Sequence, residues 1–133
     1  MEYFVIANYS EKSLFINYEI LTNDSLFGIF DMNPNIYSNS PKQIIEWNKP
    51  VKAVVNVKDS TIVEVILPPH CSMVFGTLMN DHYKNCDQEF INNTFFNLSK
   101  MEIKQKEKKI TIDSSNFDSY FLPKLGTIAY TFE

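Results

Sequence analysis

Hydrophobic and polar side chains alternate along most of the chain with a period of two residues. Between residues 14 and 20, every second side chain is apolar and suited to a buried face: Leu14, Ile16, Tyr18 and Ile20. The same period ends the sequence, where Ile128, Tyr130 and Phe132 alternate with smaller or polar residues. Because successive side chains of a strand point to opposite faces, this pattern predicts a chain made mainly of β-strands.

Two β-hairpins are predicted where alternating segments are joined by short polar turns. The first joins residues 51–58 to residues 62–67 across Asp59–Ser60, with Val63, Val65 and Leu67 facing inward. The second turn is formed by residues 106–108, and it predicts the pairing of Met101 and Ile103 with Ile110 and Ile112.

Signals for helices are few. Ser40 followed by Pro41 offers an N-cap and a first-turn proline, which predicts a short helix over Pro41–Trp47. Residues 85–92 are predicted to add one or two helical turns. With eight or nine strands, the sequence predicts a single all-β domain over residues 1–133. The expected fold is an immunoglobulin-like antiparallel β-sandwich, with a closed β-barrel as the alternative.

Composition narrows the classes of function. Of the 133 residues, 44% are hydrophobic and 14% aromatic, which predicts a folded core. The net charge is −4 and all 12 basic residues are lysine. An acidic chain without arginine is a poor candidate for binding nucleic acid, because arginine supplies most bidentate contacts to bases and phosphates. No apolar run is long enough for a membrane span, and no leader is visible, so the chain is either cytoplasmic or lacks a leader that has been removed.

Soft metal ligands are concentrated in residues 70–86, which contain both histidines and both cysteines. A copper or zinc site would use Cys71, Met73, Met79, His82 and Cys86. Strand alternation instead places Cys71, Met73, Phe75 and Met79 on one face, where cysteine and methionine are ordinary core residues. The spacing also lacks C-x-x-C and H-E-x-x-H, so core packing is the favoured interpretation and no cofactor is predicted.

A disulfide between Cys71 and Cys86 is a further alternative. Closing this loop would stabilise the fold by about 3 kcal/mol in the chain-entropy model. However, Cys71 is expected to face the core and Cys86 to lie in a polar segment. Two unpaired cysteines are therefore the favoured interpretation.

No catalytic residue is predicted, because the chain has no G-x-S-x-G nucleophile frame and no recognisable pair of catalytic carboxylates. Aromatic residues are the better candidates for a site. Four of them lie in the less regular segment 26–47 and could form a platform for a sugar or peptide: Phe27, Phe30, Tyr37 and Trp47. The alternative is that loop aromatics close the open ends of the sandwich.

Three segments carry a resemblance to a known group of proteins. Ile62–Phe75 is an alternating strand, a Pro68–Pro69 break and a second strand, while Phe4–Ser10 and Thr127–Phe132 look like first and last strands. Together they resemble small envelope β-sandwich proteins of Gram-negative bacteria, many of which are lipoproteins. The resemblance implies a location in the periplasm or at the cell surface and a lipid anchor in a longer precursor, with the cytoplasm as the alternative.

The sequence therefore predicts a non-enzymatic, extracytoplasmic binding or assembly module. It would contact a protein or glycan partner through loop aromatics or a sheet edge. The alternatives are a carrier of small apolar ligands with an internal cavity, and a soft-metal-binding protein.

Overall fold

The computed structural model describes all 133 residues, and two β-sheets packed against each other form most of it. The predicted all-β sandwich is confirmed, and no barrel closes. In chain order the elements are β1 (Glu2–Asn8), β2 (Leu14–Ile20), β3 (Phe27–Gly28), β4 (Phe30–Asn39), β5 (Ile45–Pro50), β6 (Val54–Lys58), β7 (Ile62–Leu67), β8 (Cys71–Leu78), β9 (Thr94–Phe95), β10 (Leu98–Gln105), β11 (Lys108–Ile112), α1 (Phe117–Tyr120), β12 (Leu122–Lys124) and β13 (Thr127–Phe132).

The two sheets differ in how their strands run. Sheet A has the order β12-β13-β1-β8-β4-β5, and sheet B has the order β11-β10-β2-β7-β6. Sheet B is antiparallel throughout, whereas the first and last long strands of the chain, β1 and β13, pair in parallel within sheet A. A small parallel pair, β3 with β9, lies outside both sheets. The structure has thirteen strands where eight or nine were expected. Three of them, β3, β9 and β12, have only two or three residues.

One cluster of 25 buried residues forms the main core. Its sheet B side contains the residues of β2 and β7 that the alternation placed inward. Aromatic rings fill much of the rest: Phe117 stacks on Phe121 with ring centroids 4.3 Å apart, and Phe30 stacks on Phe75 at 5.0 Å. Buried Phe117 and Phe121 thus serve as core packing.

Both predicted hairpins are present. Asp59 and Ser60 have φ of 52° and 61° within the three-residue connection between Lys58 and Ile62, and Thr61 N–H donates to Lys58 O at 3.2 Å. In the second hairpin, Met101 pairs with Ile112 and Ile103 with Ile110, as expected.

Both predicted helices were wrong. Residues 41–44 form a tight turn in which Gln43 N–H donates to Ser40 O at 2.9 Å, and β5 then begins at Ile45. Gln43 has φ of 62°, which no right-handed helix contains. Residues 85–92 form turns, in which side chains such as Asn85 Oδ1 accept backbone N–H groups. The one helix is the four-residue α1, and no helix in the structure could cross a membrane.

A β-bulge in β8 changes which of its residues face the core. Val74 pairs with Val5 and Gly76 with Phe4, so Phe75 is an extra residue without a partner on β1. The bulge reverses the alternation beyond it. Leu78 is therefore buried, and Met79, which was expected on the core face, is 57% exposed.

Candidate functional site

The two cysteines are free. Cys71 lies at the start of β8, beside Asn8 and Ser38, whereas Leu78 at the other end pairs with Glu2. Cys86 belongs to that second end, because Glu2 accepts the backbone N–H of Tyr83 at 2.6 Å. At about 3.3 Å per residue, β8 separates the two ends by roughly 20 Å, far beyond the reach of a disulfide.

The thiol of Cys86 takes part in a structural network. Cys86 Sγ donates to Ser114 O at 3.2 Å, and its backbone N–H donates to the Asp118 carboxylate at 3.0 Å. Partial burial, together with the Asp118 charge, raises the pKa of Cys86 to about 11. Since the thiolate is the reactive form, this environment is the opposite of one that activates a cysteine nucleophile.

The soft-ligand candidates do not converge. Cys71 and Met73 are buried in the core at one side of the bulge, and Met79 is exposed beyond the other end of β8. His82 is exposed and contacts Glu2, with Nδ1 3.4 Å from the carboxylate. No group of three or more His, Cys, Asp or Glu residues in the structure could hold a metal ion.

The four aromatic candidates fall into three different places. Phe30 is buried in the core between Phe4 and Phe75. Phe27 is exposed on the small β3–β9 pair. Tyr37 and Trp47 lie together, with ring centroids 5.1 Å apart. The structure thus unites two of the four, and it places them on strands of sheet A.

Tyr3 completes this aromatic group on the outer face of sheet A. Its ring centroid is 4.9 Å from that of Trp47. Strands β8 and β4 lie between β1, which carries Tyr3, and β5, which carries Trp47. The contact therefore requires β5 to lean over the outer face. Beneath it lies a second, smaller buried cluster of Val5, Val74 and Ala129.

An open cleft of about 340 Å³ adjoins the group, and we name it the tryptophan cleft. Val5, Ala7 and Ala129 line its floor. Its other apolar lining residues come from β5 with the preceding turn, and from the turn between β12 and β13: Ile44, Ile45, Trp47 and Leu125. It is thus a concave surface lined mainly by apolar side chains, as ligand sites commonly are.

The exposed apolar residues of the cleft are unusual for a surface. Leu125 is 93% exposed, Ile44 57% and Trp47 46%. Leu125 and Gly126 form a two-residue hairpin turn, with φ of 48° and 82°. The first position of such a turn favours asparagine, aspartate or glycine, and Leu125 is the one apolar side chain among the non-glycine residues with positive φ. A strained, exposed leucine is the kind of outlier that points to function.

A second hollow of about 330 Å³ adjoins the cleft, and we name it the polar depression. Tyr9 and Gln43 line both hollows, and Tyr9 OH donates to Gln43 O at 3.1 Å. The depression is otherwise lined by polar side chains and a proline: Asn39, Ser40, Pro41 and His70. Asn39 is 8% exposed and accepts from Ser72 Oγ at 2.7 Å, while its Nδ2 has no hydrogen-bond partner.

The sheet edges offer a different kind of surface. In sheet B, β11 carries two lysines at its start, which discourage pairing with another strand, whereas every residue of β6 is exposed. Three of the five residues of β6 are valine: Val54, Val55 and Val57. The β6 edge is thus an open strand edge, as is the shorter β12 at one end of sheet A.

Several residues of the cleft, the adjoining aromatic group and the polar depression were not predicted from the sequence. Tyr3, Tyr9 and Asn39 occupy ordinary positions in strands or next to them, and nothing in their local pattern marks them. Leu125 does carry a local signal, because Leu-Gly between two alternating segments is an atypical hairpin turn. These residues come together only through the strand order of sheet A, which the sequence does not show.

Comparisons with known proteins add no functional information. No protein-family model matches the chain, no curated protein matches its sequence significantly, and no solved structure matches its fold significantly.

Proposed function

We propose that the protein is a non-enzymatic binding module whose ligand surface is the tryptophan cleft on the outer face of sheet A. The observation that carries this proposal is the grouping of three exposed apolar side chains, Ile44, Trp47 and Leu125, around one concave surface. Contiguous exposed apolar surface in a folded chain is typical of interaction sites.

The alternatives receive less support. Packed rings occupy the space between the sheets, where a carrier of apolar ligands would need a cavity. The soft-metal candidates lie apart from one another. The extracytoplasmic location remains part of the proposal and rests on the resemblance of the strand pattern to envelope proteins.

A binding screen with matched variants tests the proposal. The protein is applied to an immobilised panel of oligosaccharides and peptides, alongside Trp47→Ala and Leu125→Asn. We expect at least one ligand to be retained by the unchanged protein and lost, about tenfold or more, in both variants, because a desolvated aromatic anchor typically contributes 2 kcal/mol or more.

Two control variants change exposed apolar residues elsewhere. Phe27→Ala removes the exposed aromatic of the β3–β9 pair, and Val57→Lys charges the β6 edge. Both should bind as the unchanged protein does. Loss of binding in Val57→Lys alone would move the site to the sheet edge, and a panel without any binder would count against the cleft. A hydrolytic activity abolished by replacing one carboxylate would contradict the non-enzymatic part.

A further inference from the structure

The charged residues that line the tryptophan cleft are of one sign, although Glu11 lies 3.1 Å from His70 at the polar depression. Lys42 and Lys124 are the charged residues that line it, and no aspartate or glutamate lines either the cleft or the polar depression. Neither lysine forms an ion pair, although the chain has 16 acidic residues and a net charge of −4. Lys124 Nζ instead lies 3.4 Å from Tyr9 OH. Two unpaired cations beside an apolar surface complement a ligand that carries negative charge.

The polar depression is lined in part by the side-chain amide of Asn39, whose N–H group lacks an acceptor. Asn39 Nδ2 is a buried donor without a partner, and buried donors are rarely left unpaired. Asn39 Nδ2 has almost no exposed surface, so a ligand oxygen in the depression reaches it only after the surrounding side chains move. Because Tyr9 and Gln43 line both hollows, one ligand can occupy the cleft and the depression together.

A peptide fits the floor of this surface poorly. Extended peptides are usually held by the unpaired backbone groups of a sheet edge. The edge strand β5 lines one wall of the cleft through Ile45 and Trp47, but the floor belongs to β1 and β13, which are interior strands of sheet A, paired on each side. A peptide lying there would bury its own N–H and C=O groups without backbone partners, which is costly.

We propose, building on the function proposed above, that the ligand of the tryptophan cleft is an acidic saccharide, a sugar chain bearing carboxylate groups. Each sugar ring has an apolar face of C–H groups that packs against an aromatic side chain such as Trp47. Its ring and hydroxyl oxygens are acceptors and donors for the polar side chains that line the depression, and its carboxylates pair with Lys42 and Lys124.

The experiment uses the single tryptophan as its reporter. Trp47 fluorescence and calorimetry follow titration of the full chain with an oligomer of four hexuronic acid units, and in parallel with a neutral hexose oligomer of equal length. We expect the acidic oligomer to bind about tenfold or more tightly than the neutral one, and its binding to weaken with added salt. The double variant Lys42→Gln/Lys124→Gln should abolish that preference.

The control variant Lys52→Gln/Lys100→Gln makes the same change in net charge at two exposed lysines outside the cleft, and it should retain the preference. Equal binding of the two sugars, or a preference that survives in Lys42→Gln/Lys124→Gln, would overturn the inference. A fatty acid or an acidic peptide that alters Trp47 fluorescence where the uronate oligomer does not would also overturn it, yet would leave the cleft as a binding site. If the uronate oligomer, fatty acid and peptide all leave Trp47 unaffected, both proposals fail.

Discussion

At the scale of single residues, one buried amide holds two segments of the chain together. Asn97 is almost fully buried, and its Oδ1 accepts the backbone N–H of Phe30 at 2.7 Å while its Nδ2 donates to Phe30 O at 3.0 Å. The side chain thus replaces a neighbouring strand at the start of β4. It also packs so closely against Gly28 that a Cβ there would lie 2.0 Å from Asn97 Nδ2.

Replacing Asn97 by alanine is expected to destabilise the fold by about 3 kcal/mol, because it leaves both backbone groups of Phe30 buried without a partner. Urea unfolding followed by Trp47 fluorescence measures the change. Asn17→Ala, at an exposed position of β2, is the control and should change the stability by less than about 0.5 kcal/mol. If Asn97→Ala destabilises the fold as little as the control does, water forms hydrogen bonds with the backbone N–H and C=O groups of Phe30 in the variant.

At the scale of elements, the bulge in β8 determines how the aromatic core meets sheet A. Gly76 pairs with Phe4 on one side and with Phe30 on the other. The rings of these two neighbours meet with centroids 5.1 Å apart. A Cβ on Gly76 would lie 2.9 Å from Ile29 O and 2.9 Å from Phe30 Cδ1. The glycine is therefore required for close approach.

We expect Gly76→Ala to cost about 2 kcal/mol, the usual size of an overpacking effect where a backbone atom must move. Gly126→Ala is the matched comparison, because its Cβ would meet nothing within 4 Å and only its φ of +82° opposes the change. That variant should cost about 1 kcal/mol. Thermal and urea unfolding of the two variants test the order, and a reversed order would contradict the close packing of Phe30 on β8.

How far the sequence predicts these elements depends on which signals are local. The alternation in β2 and both hairpin turns could be predicted, because side-chain period and turn chemistry lie within a few residues of each other. The helix predicted from Ser40–Pro41 was wrong because the same pair can begin either a helix or a tight turn. The left-handed conformation of Gln43 belongs to the turn. Met79 was misplaced because the bulge at Phe75 arises from pairing with β1, which is some seventy residues distant in sequence.

The candidate site was harder to predict for the same reason. Of the four aromatic residues predicted to form a platform, Tyr37 and Trp47 lie together, and they are ten residues apart in sequence. Tyr3 and Leu125 join them only because β1 lies between β13 and β8 in sheet A. The unpartnered Asn39 donor depends on which atoms surround it, which no local pattern encodes.

At the scale of the whole molecule, several buried acids favour their protonated forms in the folded state. Burial raises the pKa of Tyr18, whose hydroxyl donates to Asp31 O at 2.5 Å. Burial and the hydrogen bond to Asp118 raise the pKa of Tyr83 as well. The pKa of Cys86 is raised to about 11, and burial raises the pKa of Tyr130. All four groups therefore keep their protons to a higher pH in the folded state than in the unfolded chain.

The consequence is a loss of stability at alkaline pH. In the unfolded chain these groups release protons near their ordinary values, 9 for cysteine and 10 for tyrosine, while the folded state still holds them. The unfolded state then binds fewer protons than the folded state. The contribution of these groups to the free energy of unfolding is therefore complete below about pH 8.5, and it falls as the pH rises above 9. Urea unfolding at pH 7, 8, 9 and 10 measures this slope.

Two further readouts tie the slope to the named groups. Tyr83→Phe removes one of the shifted acids, so its stability should fall less steeply above pH 9 than that of the unchanged protein, even if it is less stable at pH 7. Phenolate absorbance should show Tyr18 and Tyr83 ionising together with the loss of the fold. A free energy of unfolding that stays constant from pH 7 to pH 10 would contradict the raised pKa values of these groups in the folded state.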